Sequence, residues 1–208
     1  MSIDAALTRI AELSLAPTAA APPAAVASLA TSPLTTPSLG VTTQPASFAA
    51  ILAAAGGTAA PGTTPPVVTI AAGEVGQAEQ PPGSNDSPRI AEYRSAVAGA
   101  GVGPWCAYFA SWAAAQAGTP IGPDGAGLGS CAGIWQWAQQ TGRALPAGPG
   151  TAPQPGDLIL WGDAHVGIVE SVAPDGSMQT IEGNSGNGVT RHSYGPGGDG
   201  ATGYVRLG

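Results

Sequence analysis

The 208 residues hold two Cys, at 106 and 131, and two His, at 165 and 192. A thiol–imidazole site therefore has few partners to choose from. Cys106 stands out by position. In GPWCAYFASWAAAQAG, Pro104 suits the first position of a helix and Gly118 its end. Cys106 then falls in the first helical turn. Unpaired backbone N–H groups and the positive end of the helix dipole favour a thiolate there. The same N–H groups can hold the oxyanion that forms when the thiolate attacks a carbonyl. Trp105 and Trp112 are placed to supply an apolar wall. The plainer reading of Cys106 is a small buried hydrophobe in an Ala-rich helix.

His165 strengthens the chemical reading. It begins the alternating segment HVGIVESV, so it can stand on the sheet face that meets the helix. Glu182 follows seventeen residues later, with Asn184 two positions on. Residues i and i+2 of a strand face the same way. Either side chain can accept a hydrogen bond from the imidazole and fix its tautomer, as the third group of a Cys–His–acid site does. Taken singly, each residue has a plain structural reading: His165 as a strand-end histidine, EGNSGNG as an ordinary hairpin. Taken with Cys106, the catalytic reading is preferred. His192 lies in the Gly-rich VTRHSYGPGGDG, which reads as an exposed loop, so it is taken as structural or solvent-facing. Cys131, opening SCAGIW, is an alternative nucleophile without a matching His. A Cys106–Cys131 disulfide is the other open reading, and it would abolish thiolate chemistry. There is no CxxC, no HxxxH and no Asp-rich calcium loop, so neither metal nor cofactor is expected.

Three helices and a run of strands must position these residues. GSNDSPRIAEYRSAVAGAG offers Ser87 as a cap and Pro88 as first helical residue, with Gly99 and Gly101 ending the helix. GPWCAYFASWAAAQAG is the second helix. SCAGIWQWAQQTG (130–142) is the third, with Ile134, Trp137 and Ala138 inward. Then the period changes. Residues 156–162, 165–172, 178–183 and 202–207 read as strands, with turns at Pro155-Gly156 and Pro174-Asp175-Gly176. Helices followed by strands on short turns give an α+β class with an antiparallel sheet.

Composition divides the chain. Of eleven aromatic residues, only Phe48 precedes Tyr93, and residues 1–70 carry only Asp4, Arg9 and Glu12 as charged side chains. Residues 73–208 are expected to fold, enough to bury a core. Residues 1–15 read as an amphipathic helix, with Ile3, Leu7, Ile10 and Leu13 on one face, suited to a protein partner through residues 2–15. Residues 16–72 read as a largely disordered low-complexity linker of Ala, Pro, Thr, Ser and Gly, with a short helical segment at 47–55. Lys is absent. The net charge of -7 argues against nucleic acid and against attraction to an anionic membrane or wall. No apolar run reaches the roughly 18 residues of a membrane span, and MSIDAALTRIAELS lacks the basic and apolar regions of an ordinary signal peptide.

The order GSNDSPRIAEYR, GPWCAYFASW, PGDLILWGDAHVGIVESV and TIEGNSGNGVTRHSY resembles a CHAP domain, the cysteine- and histidine-dependent amidohydrolase/peptidase family. The resemblance covers about residues 73–208. It implies a papain-like α+β fold, with a helix N-terminus carrying the nucleophile packed on an antiparallel sheet. It implies Cys106 as nucleophile, His165 as general base, Glu182 as orienting acid and Asn184 as a further polar contributor. Bacterial peptidoglycan is the implied substrate, with Trp105, Trp112 and Trp161 as the expected substrate-contacting aromatics. The N-terminal layout is similar to actinobacterial flagella-associated wall hydrolases.

The leading expectation is a peptidoglycan hydrolase, amidase or endopeptidase, acting outside the cytoplasm at the cell wall. Export without an ordinary signal peptide would go by a flagellar-type route or a holin. Two alternatives stand beside it. One is an accessory component of a flagellar or secretion apparatus with weak or no activity. The other is a phage-type endolysin. No LysM or SH3-like wall-binding module is visible. Residues 73–208 carry eleven acids against five Arg, so charge alone does not address the domain to an anionic wall.

Overall fold

The computed structural model describes residues 63–208. The expected helix at 1–15, most of the linker and the segment at 47–55 lie outside the described residues. Four α-helices come first: α1 (Pro66–Gly73), α2 (Pro88–Ser95), α3 (Cys106–Gln116) and α4 (Cys131–Gln140). Six strands follow: β1 (Ala144–Pro146), β2 (Leu158–Trp161), β3 (His165–Val172), β4 (Met178–Ser185), β5 (Gly188–Tyr194) and β6 (Gly203–Val205). They form one sheet in the order β1-β6-β2-β3-β4-β5, with every neighbouring pair antiparallel. The expected α+β class holds, with helices packed on an antiparallel sheet.

Alternation along the strands sorts side chains onto two faces. Leu158, Leu160, Val166, Ile168 and Ile181 join the helices' Ile90, Trp105, Phe109, Ala113 and Ile134 in the main core. Ile159, Val169, Met178 and Tyr204 form a smaller cluster on the other face. Contact between α3 and β4 is close enough to require a glycine. A Cβ on Gly183 would stand 2.6 Å from the Phe109 Cβ.

Local signals explain the helix starts. Ser87 accepts from the Ile90 N–H with Pro88 first in α2, and Ser130 accepts from the Gly133 N–H at α4. Three expectations change. The folded unit begins earlier than residue 73, because α1 buries Val67, Val68 and Ala71 in the main core. Its Pro65-Pro66 pair suits a helix start, and the apolar run behind it is what the linker composition masked. α2 ends at Ser95, before Gly99. The segment expected as a Gly-rich loop around His192 contains β5, which pairs with β4 over Met178↔Tyr194 to Glu182↔Thr190. Gly195 to Gly200 do form the loop; the alternating VTRHSY before them does not.

Candidate active site

The site is assembled where the start of α3 meets the first residue of β3. Cys106 is the first helical residue, two positions closer to the helix start than Pro104 as opener would place it. Trp105 is not helical (φ -122°, ψ 13°), and its N–H donates to Asn184 Oδ1 at 3.1 Å. The ladder begins with Phe109 N–H to the Trp105 carbonyl, at 2.9 Å. The amides of Cys106, Ala107 and Tyr108 therefore have no carbonyl within their own helix to bond.

His165 lies across from this helix start. Its Nε2 bonds Glu182 Oε2 at 2.9 Å, which leaves Nδ1 for the thiol side. Alternation groups His165 with Gly167 and Val169, on the face turned from the main core, rather than with the helix-facing Val166 and Ile168. It reaches Cys106 because it opens the strand, at the sheet's end. Gly167 makes room for the acid: a Cβ there would stand 2.8 Å from Glu182 Cγ. Glu182 is 2% exposed, yet both its oxygens are satisfied. Oε1 accepts from Thr180 Oγ1 at 2.6 Å and from the Tyr194 hydroxyl at 3.0 Å, while Oε2 faces His165.

Charge follows from these contacts. For Cys106, a hydrogen bond from the Cys131 thiol is the largest influence. Burial opposes ionisation, and the hydrogen bond and charge of His165 favour it, so the thiol falls to about 4. Burial disfavours the His165 imidazolium, but hydrogen bonds to Cys106 and Glu182 and the charge on both outweigh it, raising it to about 9. Burial raises Glu182, while bonds from His165, Thr180 and Tyr194 more than compensate and hold it ionised below the usual carboxylate range. Near neutral pH the site is a thiolate–imidazolium pair backed by a carboxylate. Such a set can attack an amide carbonyl and protonate the departing amine.

The sequence-predicted residues separate here. Cys106, His165 and Glu182 come together. Asn184 does not touch the imidazole. It adopts a left-handed turn conformation (φ 59°) and fixes the start of α3. Its Nδ2 donates to Glu79 Oε1 and Asn85 Oδ1, both at 3.3 Å. Trp105 is not a substrate wall. It is 0% exposed, stacks on Tyr93 and donates Nε1 to Glu79 Oε1 at 3.0 Å. Trp112 lies six residues along α3, about 9 Å up the axis at 1.5 Å per residue, packed on Tyr93 and Phe109 under the Arg89 guanidinium. Trp161 is half-buried beside His165, with ring centroids 5.8 Å apart. His192 bonds Ser185 and Thr190 through Nε2, 4.0 Å from Glu182 Oε2. Cys131 is free and lies against Cys106; the two are not disulfide-bonded.

Sequence reasoning missed Glu79, Thr180 and Tyr194. Glu79 is buried, with Oε2 left without a partner, at the end of a segment lying along β5 through Gly76 N–H to Val189 O and Val189 N–H to Gln77 O. Nothing in EVGQAEQPP marks it. Thr180 had a signal: it is two residues before Glu182 on the same strand face. Among the described residues no cluster of His, Cys, Asp and Glu is suited to a metal ion, and no helix is long and apolar enough to cross a membrane.

The family model of the CHAP domain matches residues 98–184, a span containing Cys106, His165, Glu182 and Asn184. Among solved structures, an N-acetylmuramoyl-L-alanine amidase from Staphylococcus aureus is similar, with 18% identity and a TM-score of 0.40. The alignment covers 51% of this chain and 31% of that one, so the chain spans about a third of that protein's crystallised length. No curated protein matches. The matched span is 87 of the 208 residues.

Proposed function

We propose that this CHAP-domain chain is a peptidoglycan hydrolase that cleaves an amide bond of the stem peptide or cross-bridge. The observation that carries the reading is the union of Cys106 at the α3 N-terminus with His165, whose Nε2 bonds the buried Glu182 at 2.9 Å. The family's thiol- and imidazole-dependent amide chemistry needs those three parts. An accessory protein without activity has no need of an intact set, so the arrangement favours the enzyme.

The Cys106 thiolate attacks the carbonyl carbon. The resulting oxyanion is stabilised by the unpaired amides of the first α3 turn. His165, already protonated, gives its Nδ1 proton to the leaving amine, and a thioester remains on Cys106. Water then donates a proton to His165 and attacks the thioester. The carboxylic acid product leaves, and the thiolate and imidazolium are restored. Glu182 keeps the ring in place and stabilises its charge throughout. Trp161, beside His165, offers an apolar edge to the substrate. The substrate puts this action outside the cytoplasm, and residues 1–15 act as the address for a protein partner.

The test is digestion of purified sacculi, with mass spectrometry of the released muropeptides. The wild-type chain should release products bearing a new amine and a new carboxylate, which identifies the bond cut. Cys106→Ala should release none. Equal lysis by both proteins would overturn the reading.

A further inference from the structure

Cys131 has no part in the steps above, yet it lies against the nucleophile. Its Sγ is 3.9 Å from Cys106 Sγ, within S–H···S range. Both thiols are free and buried, at 4% and 7% exposure. Each is the first residue of its own helix. Their approach is fixed by bonds elsewhere. Ser111 of α3 donates its hydroxyl to the Leu128 carbonyl at 2.8 Å and accepts from the Leu128 N–H at 2.9 Å. Ser130 then caps α4. The loop is thus tied to α3 at Leu128, three residues before α4 begins.

We propose that Cys131 is a positioning and resolving thiol for Cys106. Its S–H donates to the Cys106 thiolate in the reduced protein, and under a hydroperoxide it closes a Cys106–Cys131 disulfide that switches the site off reversibly. The proposal rests on reading Cys106 as a thiolate nucleophile.

Two thiols this close do not both ionise, because like charges repel in a buried site. The surrounding charges decide which one does. Cys106 faces the His165 imidazolium, which Glu182 holds. Cys131 faces the negative Cys106 and feels Asp163 as well, with no cation opposite. Its hydrogen bond to Cys106, burial and those two negative charges all hold it protonated. The proton on Cys131 is therefore available to the Cys106 sulfur.

The same placement sets the oxidation chemistry. The Cys106 thiolate attacks one oxygen of the hydroperoxide. The O–O bond breaks, Cys106 becomes a sulfenic acid, and the other oxygen leaves as water or alcohol after taking a proton. Sulfur gives up two electrons and the peroxide accepts them. Cys131 then releases its proton and attacks the sulfenic sulfur. The S–S bond forms, the S–O bond breaks and water departs. The sulfurs must close from 3.9 Å to about 2.0 Å. A resolving thiol at this range intercepts Cys106 before a second oxidation makes the irreversible sulfinic acid.

The experiment compares the full wild-type chain with Cys131→Ser and Cys131→Ala. First, alkylation of Cys106 by iodoacetamide is followed against pH by peptide mass spectrometry. Cys131→Ala should raise the midpoint by about one pH unit or more, and Cys131→Ser, which keeps a donor, should recover most of that shift. Identical midpoints in all three proteins would overturn the positioning role. Second, each protein is treated with hydrogen peroxide and its intact mass is read. The wild type should lose two hydrogens and regain full alkylation with dithiothreitol. Both variants should gain two or more oxygens on Cys106 and stay blocked after dithiothreitol. A wild type that gains oxygen without forming the disulfide would overturn the resolving role. Neither readout uses peptidoglycan, so a failure of the hydrolase reading would appear separately, as absence of cut muropeptides.

Discussion

His165 and Cys106 meet in one site but are held there by different means. His165 is supported through its charge. Glu182 faces it from the neighbouring strand, and Thr180 and Tyr194 pin the far carboxylate oxygen. All of these lie within two consecutive hairpins. Cys106 is supported through its backbone. The N–H just before it is taken by Asn184, 79 residues away in sequence, and the adjoining indole by Glu79, 26 residues away. The strand side tunes protonation, while the helix side fixes where the first turn begins. Damage to the two sides should therefore look different.

The largest effect should come from the strand side. Glu182→Gln keeps the shape and an acceptor but removes the charge that sustains the imidazolium. Turnover of muropeptides should fall about 10²-fold, and the alkaline limb of the pH profile should move below its expected position near 9. An unchanged limb would mean that Glu182 does not govern the His165 proton.

The helix side should respond mainly in stability. Asn184→Ala frees the Trp105 N–H and removes a donor from Glu79 and Asn85. The cost should be about 1–2 kcal/mol, read as a lower denaturation midpoint. Activity should drop by less than in Glu182→Gln, and the alkaline limb should stay in place. A displaced limb would return Asn184 to the imidazole-orienting role first expected of it.

The smallest effect on turnover should separate two tryptophans. Trp161→Ala removes the half-buried ring beside His165 and should raise KM several-fold with kcat little altered. Trp105→Phe should leave KM alone and cost about 1–3 kcal/mol, because Glu79 loses its indole donor. Reversal of this pattern would show that the buried ring, not the bordering one, governs substrate binding.

The same division marks what the sequence made legible. Strand signals marked His165 and Glu182, but alternation put His165 on the helix-meeting face, whereas it reaches Cys106 from the end of its strand. The helix start at Pro88 was readable from Ser87, because a cap acts over three residues. Contacts between distant segments were not readable. Asn184 shares Glu182's strand parity, but its left-handed backbone turns the side chain toward the start of α3. Trp105 sits next to Cys106 in sequence, and nothing local says that its ring is swallowed by the core. Glu79 and α1 lie in stretches whose Pro, Gly and Ala content obscures their apolar contacts. His192 looked loop-bound because the following glycines outweighed the short alternation before them.

The pH dependence of muropeptide turnover, followed from about pH 3 to about pH 10, tests the paired thiolate and imidazolium most directly. Cys106 must be ionised and His165 protonated in the resting site. The rate should rise through an acid limb near 4 and fall through an alkaline limb near 9. Folding stability should track the same groups. The raised His165 contributes fully below its ordinary value of about 6.5, and that contribution is lost as pH climbs through about 9. The lowered Glu182 contributes above the usual carboxylate range, and its share is lost on acidification through its depressed value. A bell-shaped profile with these limbs is the predicted result. A single rise at the ordinary thiol value near 8.5 would contradict it, because Cys106 would then be an unassisted thiol.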